Sequence, residues 1–187
     1  AINFYDSGNL ESLKNLDKGD GYDYPFLGGL LWSFFWNISI LNEEYFGRLF
    51  YVFLYVISLI SIVDKIKTDE KFKITLFLIF ILISYNYEVF SGEQDIILFC
   101  LLGFATSIII GVSENPSKNF TNFDLFKIIL ICNLLVWTKA EGFVYSIIII
   151  FSILSIFKIK LNKQIILTSA LLLILFIRFA VYKFYGL

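Results

Sequence analysis

What most constrains this chain is how its apolar residues are distributed. They come in long unbroken blocks, at about 25–41, 49–63, 74–86, 96–112, 123–138, 143–157 and 165–185, with short polar segments between them and no amphipathic striping. A helix needs roughly 20 apolar residues, within a range of about 17 to 25, to cross the hydrocarbon core of a bilayer. With 58% of residues hydrophobic, 19% aromatic and only 17% charged, the composition is that of a membrane protein. The expected fold class is all-α, a polytopic transmembrane helical bundle. Pro25 opens the first block, where a helix tolerates it, and Pro116 falls in a loop, so no block is broken from within. Several blocks fall short of an ideal span, and flanking Tyr, Trp and Lys are expected to complete the crossing. Ser, Thr and Gly inside the blocks suit close helix packing in lipid.

The same composition removes whole classes of function. Net charge is -1, and no basic run, zinc-type Cys/His spacing or Gly-rich phosphate loop points to nucleic acid as a partner. The chain has no His. Acid-base or metal chemistry must therefore rest on carboxylates, Lys, Tyr or groups outside this chain. Cys100 and Cys132 lie within apolar blocks and read as buried thiols without a role. The chain begins with Ala, contains no Met and opens in a polar stretch, which leads us to expect a fragment whose true start lies upstream.

Charge placement orients the spans, because Lys and Arg favour cytoplasmic loops. "DKIKTDEKFK" carries Lys65, Lys67, Lys71 and Lys73, and "FKIKLNKQ" carries Lys158, Lys160 and Lys163. Both are expected on the cytoplasmic side, together with the loop that holds Lys118. Counting spans between them brings "YNYEVFSGEQD" and "TKAEG" together on the opposite face, with Glu88, Glu93, Asp95 and Glu141, and places "NEEYFGR" there too. Block 25–41 has two solutions. If it crosses, residues 1–24 are cytoplasmic; if it lies along the outer surface, with Trp32 and Trp36 one turn apart as interfacial anchors, they are external.

Three stretches on that face draw attention, each with a plain structural alternative. "GYDYPFLGG" is a helix start with Asp23 near its cap and Pro25 in its first turn, or a carboxylate and Tyr24 held where a polar substrate could sit. "FSGEQDIILF" makes Asp95 an ordinary N-cap, or pairs Glu93 and Asp95 as two acids at one helix mouth, suited to base or cation-binding work. "TKAEG" is a tight hairpin relaxed by Gly142, or a place where Lys139 and Glu141 face a polar cavity, since unpaired charge near hydrocarbon is costly. Arg178, inside the last block, is a candidate for a lipid phosphate or for an acid partner.

In their order and spacing these pieces resemble the membrane glycosyltransferases of the GT-C fold, in particular the polyprenyl- and dolichyl-phosphate-sugar transferases that include protein O-mannosyltransferases and aminoarabinose transferases. "DYPFLGGLLWSFFW" is similar to the family's Tyr-Pro-Pro segment, with Phe26 where a second Pro is common. "NEEYFGRLFYVFLYVISL" is similar to its acid-then-Arg-Leu helix start, with Arg48 in the Arg position. "SGEQDIILFCLLGFA" resembles the segment in which an Asp opens a helix after the second external loop, and "LLVWTKAEGFVYSI" its Lys-x-Glu-Gly hairpin. The likeness covers about residues 20–155.

The resemblance implies a GT-C-like bundle of about six spans plus a juxtamembrane helix. Residues 1–24 become the tail of the first external loop, 25–41 the juxtamembrane helix and 42–187 a partial transmembrane domain that continues beyond both ends. It implies an integral protein of the bacterial inner (plasma) membrane, with its active site on the external, periplasmic side. The implied partners are membrane lipid, a polyprenyl-phosphate-linked sugar donor and a saccharide, lipid or protein acceptor. The reaction would be sugar transfer with inversion, a carboxylate taking the acceptor proton. The family's leading catalytic Asp would lie upstream of Ala1, and the piece alone would be inactive. Asp95 and Asp23 would shape the polar pocket or help hold a divalent cation, the one cofactor considered. Lys139 and Arg178 would neutralise the carrier phosphate; Glu141 would orient Lys139 or bind acceptor hydroxyls; and Tyr24, Arg48 and Glu93 would join them in substrate binding. The rival expectation is a transporter or flippase segment with an acidic external vestibule. Transporters are often built as repeated halves with charge near the midplane, and no internal repeat is visible here. An oligosaccharide polymerase or ligase is a second rival, one that normally carries external arginines, of which few are found.

Overall fold

The structure, a computed structural model, describes residues 27–37, 44–84, 94–114, 120–157 and 159–185. The polar segment 1–24, with Asp23 and Tyr24, lies outside them, as do Glu88, Glu93, Lys118, Lys158 and the side chains of Trp32 and Trp36. All regular structure among the described residues is helical: α1 (Leu27–Asn37), α2 (Glu44–Lys65), α3 (Glu70–Ser84), α4 (Gln94–Ser113), α5 (Asn122–Thr138), α6 (Gly142–Ile156) and α7 (Leu161–Tyr185). Among them, 3 are long and apolar enough to cross a membrane, at Gly47–Lys65, Gln94–Ser113 and Leu161–Phe184. Large apolar side chains such as Phe53, Leu82, Ile83, Phe151, Phe176 and Phe184 stand exposed around the outside, a surface that water would not tolerate and lipid would.

The helices outgrow the apolar blocks because polar residues at their ends find partners. The last helix was expected from 165 but begins at Leu161. The "LNKQ" stretch joins its first turn, where Lys163 donates to the Phe120 carbonyl and Gln164 Nε2 to the Ile159 carbonyl at 3.0 Å. At the head of α5, Thr121 Oγ1 accepts from the Asp124 amide at 3.1 Å while the Asp124 carboxylate accepts from the Thr121 amide at 3.1 Å, a reciprocal cap for two otherwise orphaned donors. Asp95, expected to open its helix as the cap, falls instead within the first turn, behind Gln94. An acid there still meets the positive end of the helix dipole.

At the centre of the bundle, α4 packs along α2 and α5, and Ile96, Ile97, Cys100, Leu101 and Ala105 enter the core beside Tyr51, Tyr55 and Leu59 of α2 and Ile128, Cys132 and Leu135 of α5. By contrast, α3 has no buried residue, and only 6% of the α7 span is buried, so both present their flanks outward. Cys100 and Cys132 are buried and free. A close contact brings α2 and α4 together at small residues: a Cβ added to Gly103 would sit 3.2 Å from Ser58 Cβ, and the Ser58 hydroxyl is turned back to donate to the Tyr55 carbonyl at 2.8 Å. In lipid such close approach is a main source of helix association. Gly103→Ala is therefore expected to be near neutral, since a helix-propensity gain of about 1 kcal/mol offsets slight crowding. Gly103→Leu should destabilise by about 2 kcal/mol through overpacking, read as a lowered unfolding midpoint in detergent.

The ends of the bundle sort the charged segments. At one end the Lys65 side chain crosses Gly111, Lys67 stands 3.9 Å from the Glu114 carboxylate, Lys163 bonds Phe120, and the Phe120 and Phe157 rings meet edge to face at 4.9 Å. The loop after α2 thus adjoins the end of α4, and the α6–α7 connection adjoins the head of α5. At the other end, Gly28 of α1 packs on Gln94, and the α5–α6 hairpin meets the head of α4. The segments "DKIKTDEKFK" and "KLNKQ" fall at the first end, "QD" and "TKAEG" at the second.

Candidate functional site

The hairpin end carries the one described cluster that joins residues the sequence singled out separately. Lys139 follows the last turn of α5 with an extended backbone, φ -154 and ψ 159, and its amide donates to the Leu135 carbonyl at 3.4 Å. That conformation carries its side chain out of the α5 ladder towards α4, where Nζ donates to Asp95 Oδ1 at 2.7 Å. The side chains are 22% and 47% exposed respectively. The pair is therefore at a surface recess, in partial contact with solvent, where an ion pair contributes roughly 0–1 kcal/mol to stability. Its geometry is that of a short charge-assisted hydrogen bond.

Glu141 stands two residues beyond Lys139, exposed, at the cap of α6, with no side-chain bond to the helix head. The turn itself is held by backbone: the Gly142 amide donates to the Lys139 carbonyl at 3.0 Å and the Tyr145 amide to the Glu141 carbonyl at 3.1 Å. Gly142 has a role different from the expected loosening of the turn. A Cβ there would meet the Leu135 carbonyl oxygen at 1.9 Å, so the residue is a point of backbone contact between α5 and α6. One turn further on, the Ser146 hydroxyl donates to the Cys132 and Gly142 carbonyls, at 3.1 and 2.8 Å, which ties the two helices just below the ion pair.

Two further cations lie at this end of the bundle. Ser58 rests against Gly103 and Lys65 against Gly111, and carrying that parallel register back to the head of α2 sets Arg48 near the level of Gln94. Arg178, on the last turns of α7, lies 5.3 Å from the Tyr182 ring. Together with Phe143 of α6, Leu175, Phe179, Tyr182 and Lys183 it lines a cavity of about 520 Å³. Phe143 directly follows Gly142, so this cavity opens at the hairpin end.

The structure thus brings Asp95 and Lys139 into contact, with Glu141 in the same turn, Arg48 near the head of α4 and Arg178 at the same end. Asp23, Tyr24 and Glu93 lie outside the described residues. Sequence reading passed over Gln94, whose side chain packs under Gly28 of α1 and whose buried Oε1 has no hydrogen-bond partner among the described residues. The signal was available in the glycine pair of "FLGGL", which marks a close approach. As for a metal, Asp95 is already engaged by Lys139, and among the described residues no group of three or more His, Cys, Asp or Glu side chains is placed to hold an ion. In comparisons with known proteins the chain matches no protein-family model, no curated protein and no solved structure.

Proposed function

We propose that this chain belongs to an integral membrane glycosyltransferase of GT-C type, which moves a sugar from a polyprenyl-phosphate carrier to an acceptor at the external face of the membrane. The observation that carries the reading is the Asp95–Lys139 pair at 2.7 Å, an acid and a base set at one bundle end while the Lys-bearing loops gather at the other. The basic end would face the cytoplasm. On this reading the three long spans are joined by α3, α5 and α6. The last two run between the same two ends but are only about 22–25 Å long at the helical rise, so interfacial side chains complete their crossing of a core about 30 Å thick. At about 16 Å, α1 is too short to cross and lies along the surface as the juxtamembrane helix, over Gln94.

In the reaction, the acceptor hydroxyl oxygen attacks the anomeric carbon from the face opposite the carrier. The bond from that carbon to the phosphate oxygen breaks, the electron pair leaves with the phosphate, and a carboxylate takes the acceptor proton. Lys139 and Arg178 stabilise the charge that grows on the departing phosphate, the place where fixed cations act most strongly. Asp95 holds Lys139 in position, and Glu141 offers an acceptor for substrate hydroxyls. The base is assigned to a carboxylate outside the described residues. The test uses the complete protein in proteoliposomes with a radiolabelled polyprenyl-phosphate-linked sugar. Transfer with inversion is the expected result; sugar or lipid translocation without bond cleavage would overturn the enzyme and favour a transporter.

A further inference from the structure

We propose that the cleft between α1, α2, α4 and α5 is a binding site for one anionic glycerophospholipid, its headgroup at the basic end of the bundle, away from the Asp95–Lys139 pair. The cleft has a volume of about 520 Å³ and is lined almost wholly by apolar side chains, among them Leu54, Phe104, Ile108 and Leu130. From Ile97 to Ile108 of α4 it extends about 16 Å at the helical rise of about 1.5 Å per residue, room for acyl chain. Its polar lining is concentrated at one end. There Lys65, from the last turn of α2, and Lys127, from the second turn of α5, both face the cleft. Gly111 lies one turn beyond Ser107 on the face of α4 that lines the cleft. A Cβ at Gly111 would meet the Lys65 stem at 3.2 Å, so the absence of a side chain there lets that stem lie across α4 on the cleft side.

Charge and shape together choose the occupant. Two ammonium groups at the mouth of an apolar trench match a phosphate followed by acyl chains, and they stand at the basic end of the bundle, where Lys67 and Lys163 also gather. Each has an acid of its own: Lys65 with Asp64 at 2.9 Å and Lys127 with Asp124 at 3.8 Å, and Lys127 also lies over the Phe123 ring at 4.3 Å. Both ion pairs are partly or largely exposed, so they are weak and yield readily to a phosphate. The trench opens towards the exposed apolar belt, with Leu130 45% exposed at its rim, which gives a bilayer lipid lateral entry.

The experiment measures lipid retention by the complete protein in native mass spectrometry, with phosphatidylglycerol, phosphatidylcholine or decaprenyl phosphate added singly and in equimolar competition. One phosphatidylglycerol should be retained about thirtyfold more tightly than phosphatidylcholine, and Lys65→Gln/Lys127→Gln should remove that preference. Leu130→Trp fills the trench while leaving both lysines in place, and should abolish retention of either glycerophospholipid. Equal retention of the two by the parent chain, or phosphatidylglycerol binding unchanged in both variants, would overturn the site. Preferential retention of decaprenyl phosphate would overturn the glycerophospholipid as occupant. Sugar transfer is measured separately, so loss of one proposal leaves the other standing.

Discussion

Asp95→Asn in the complete protein is expected to lower the rate of sugar transfer about a hundredfold, with an unfolding midpoint close to that of the parent. The reasoning separates stability from function. The pair it breaks is partly exposed, with Asp95 47% accessible, so its loss costs roughly 1 kcal/mol or less, and Asn keeps the shape of the side chain. On the proposed reading, function depends on where Lys139 Nζ sits. With a neutral amide in place of the carboxylate, the 2.7 Å charge-assisted bond weakens, and a cation that should meet the developing phosphate charge loses its fixed position. Removing one preorganised electrostatic contact of this kind typically lowers kcat by about 10²–10³. Lys139→Met should fall at least as far. The double variant should be little worse than Lys139→Met alone, because the two residues act as one unit and their effects do not add. Near-normal transfer by Asp95→Asn would sink the assignment. A fully additive double variant would show that Asp95 acts independently of Lys139.

Much of this arrangement was legible in the sequence because membrane physics acts through simple patterns. The apolar blocks become helices, in which every backbone group finds the internal partner that lipid would demand, and the described lysine-bearing loops separate from "QD" and "TKAEG". Lys139 and Glu141 stood out as charges in an oily run, and Asp95 as an acid at a helix mouth. That Asp95 and Lys139 touch could not be read, because it depends on the relative register of α4 and α5 and on the extended backbone at residue 139, neither of which leaves a periodic trace. The early starts of α4 and α7 were hidden for a related reason. Gln94, Lys163 and Gln164 look like loop residues until tertiary partners give their side chains something to bond or pack against. The cleft between α1, α2, α4 and α5 draws its walls from four helices, so no single block advertises it. Asp23, Tyr24 and Glu93 fall outside the described residues, and their roles rest on the sequence and the resemblance alone.

Gly142→Ala supplies a test whose sign alone decides between two accounts of the hairpin. As the first residue of α6, position 142 would ordinarily gain from Ala, by up to about 1 kcal/mol of helix propensity. The structure predicts the reverse. The added methyl would stand 1.9 Å from the Leu135 carbonyl oxygen and 2.5 Å from its carbon, and both are backbone atoms that cannot rotate aside. Leu135 is itself fully buried, so α5 has little room to retreat, and the strain must be relieved by opening the angle between α5 and α6. That movement pulls against the Ser146 bonds to Cys132 and Gly142 and carries Lys139 away from Asp95. We expect a loss of about 3 kcal/mol, at the upper end for overpacking, seen as a lowered midpoint of unfolding in detergent, together with a fall in transfer like that of Lys139→Met. Ala140→Gly, at an exposed position of the same turn, serves as the control and should change stability by less than about 1 kcal/mol. A Gly142→Ala variant as stable as the parent would mean that α5 and α6 do not meet backbone to backbone, and that Lys139 reaches Asp95 from a looser turn.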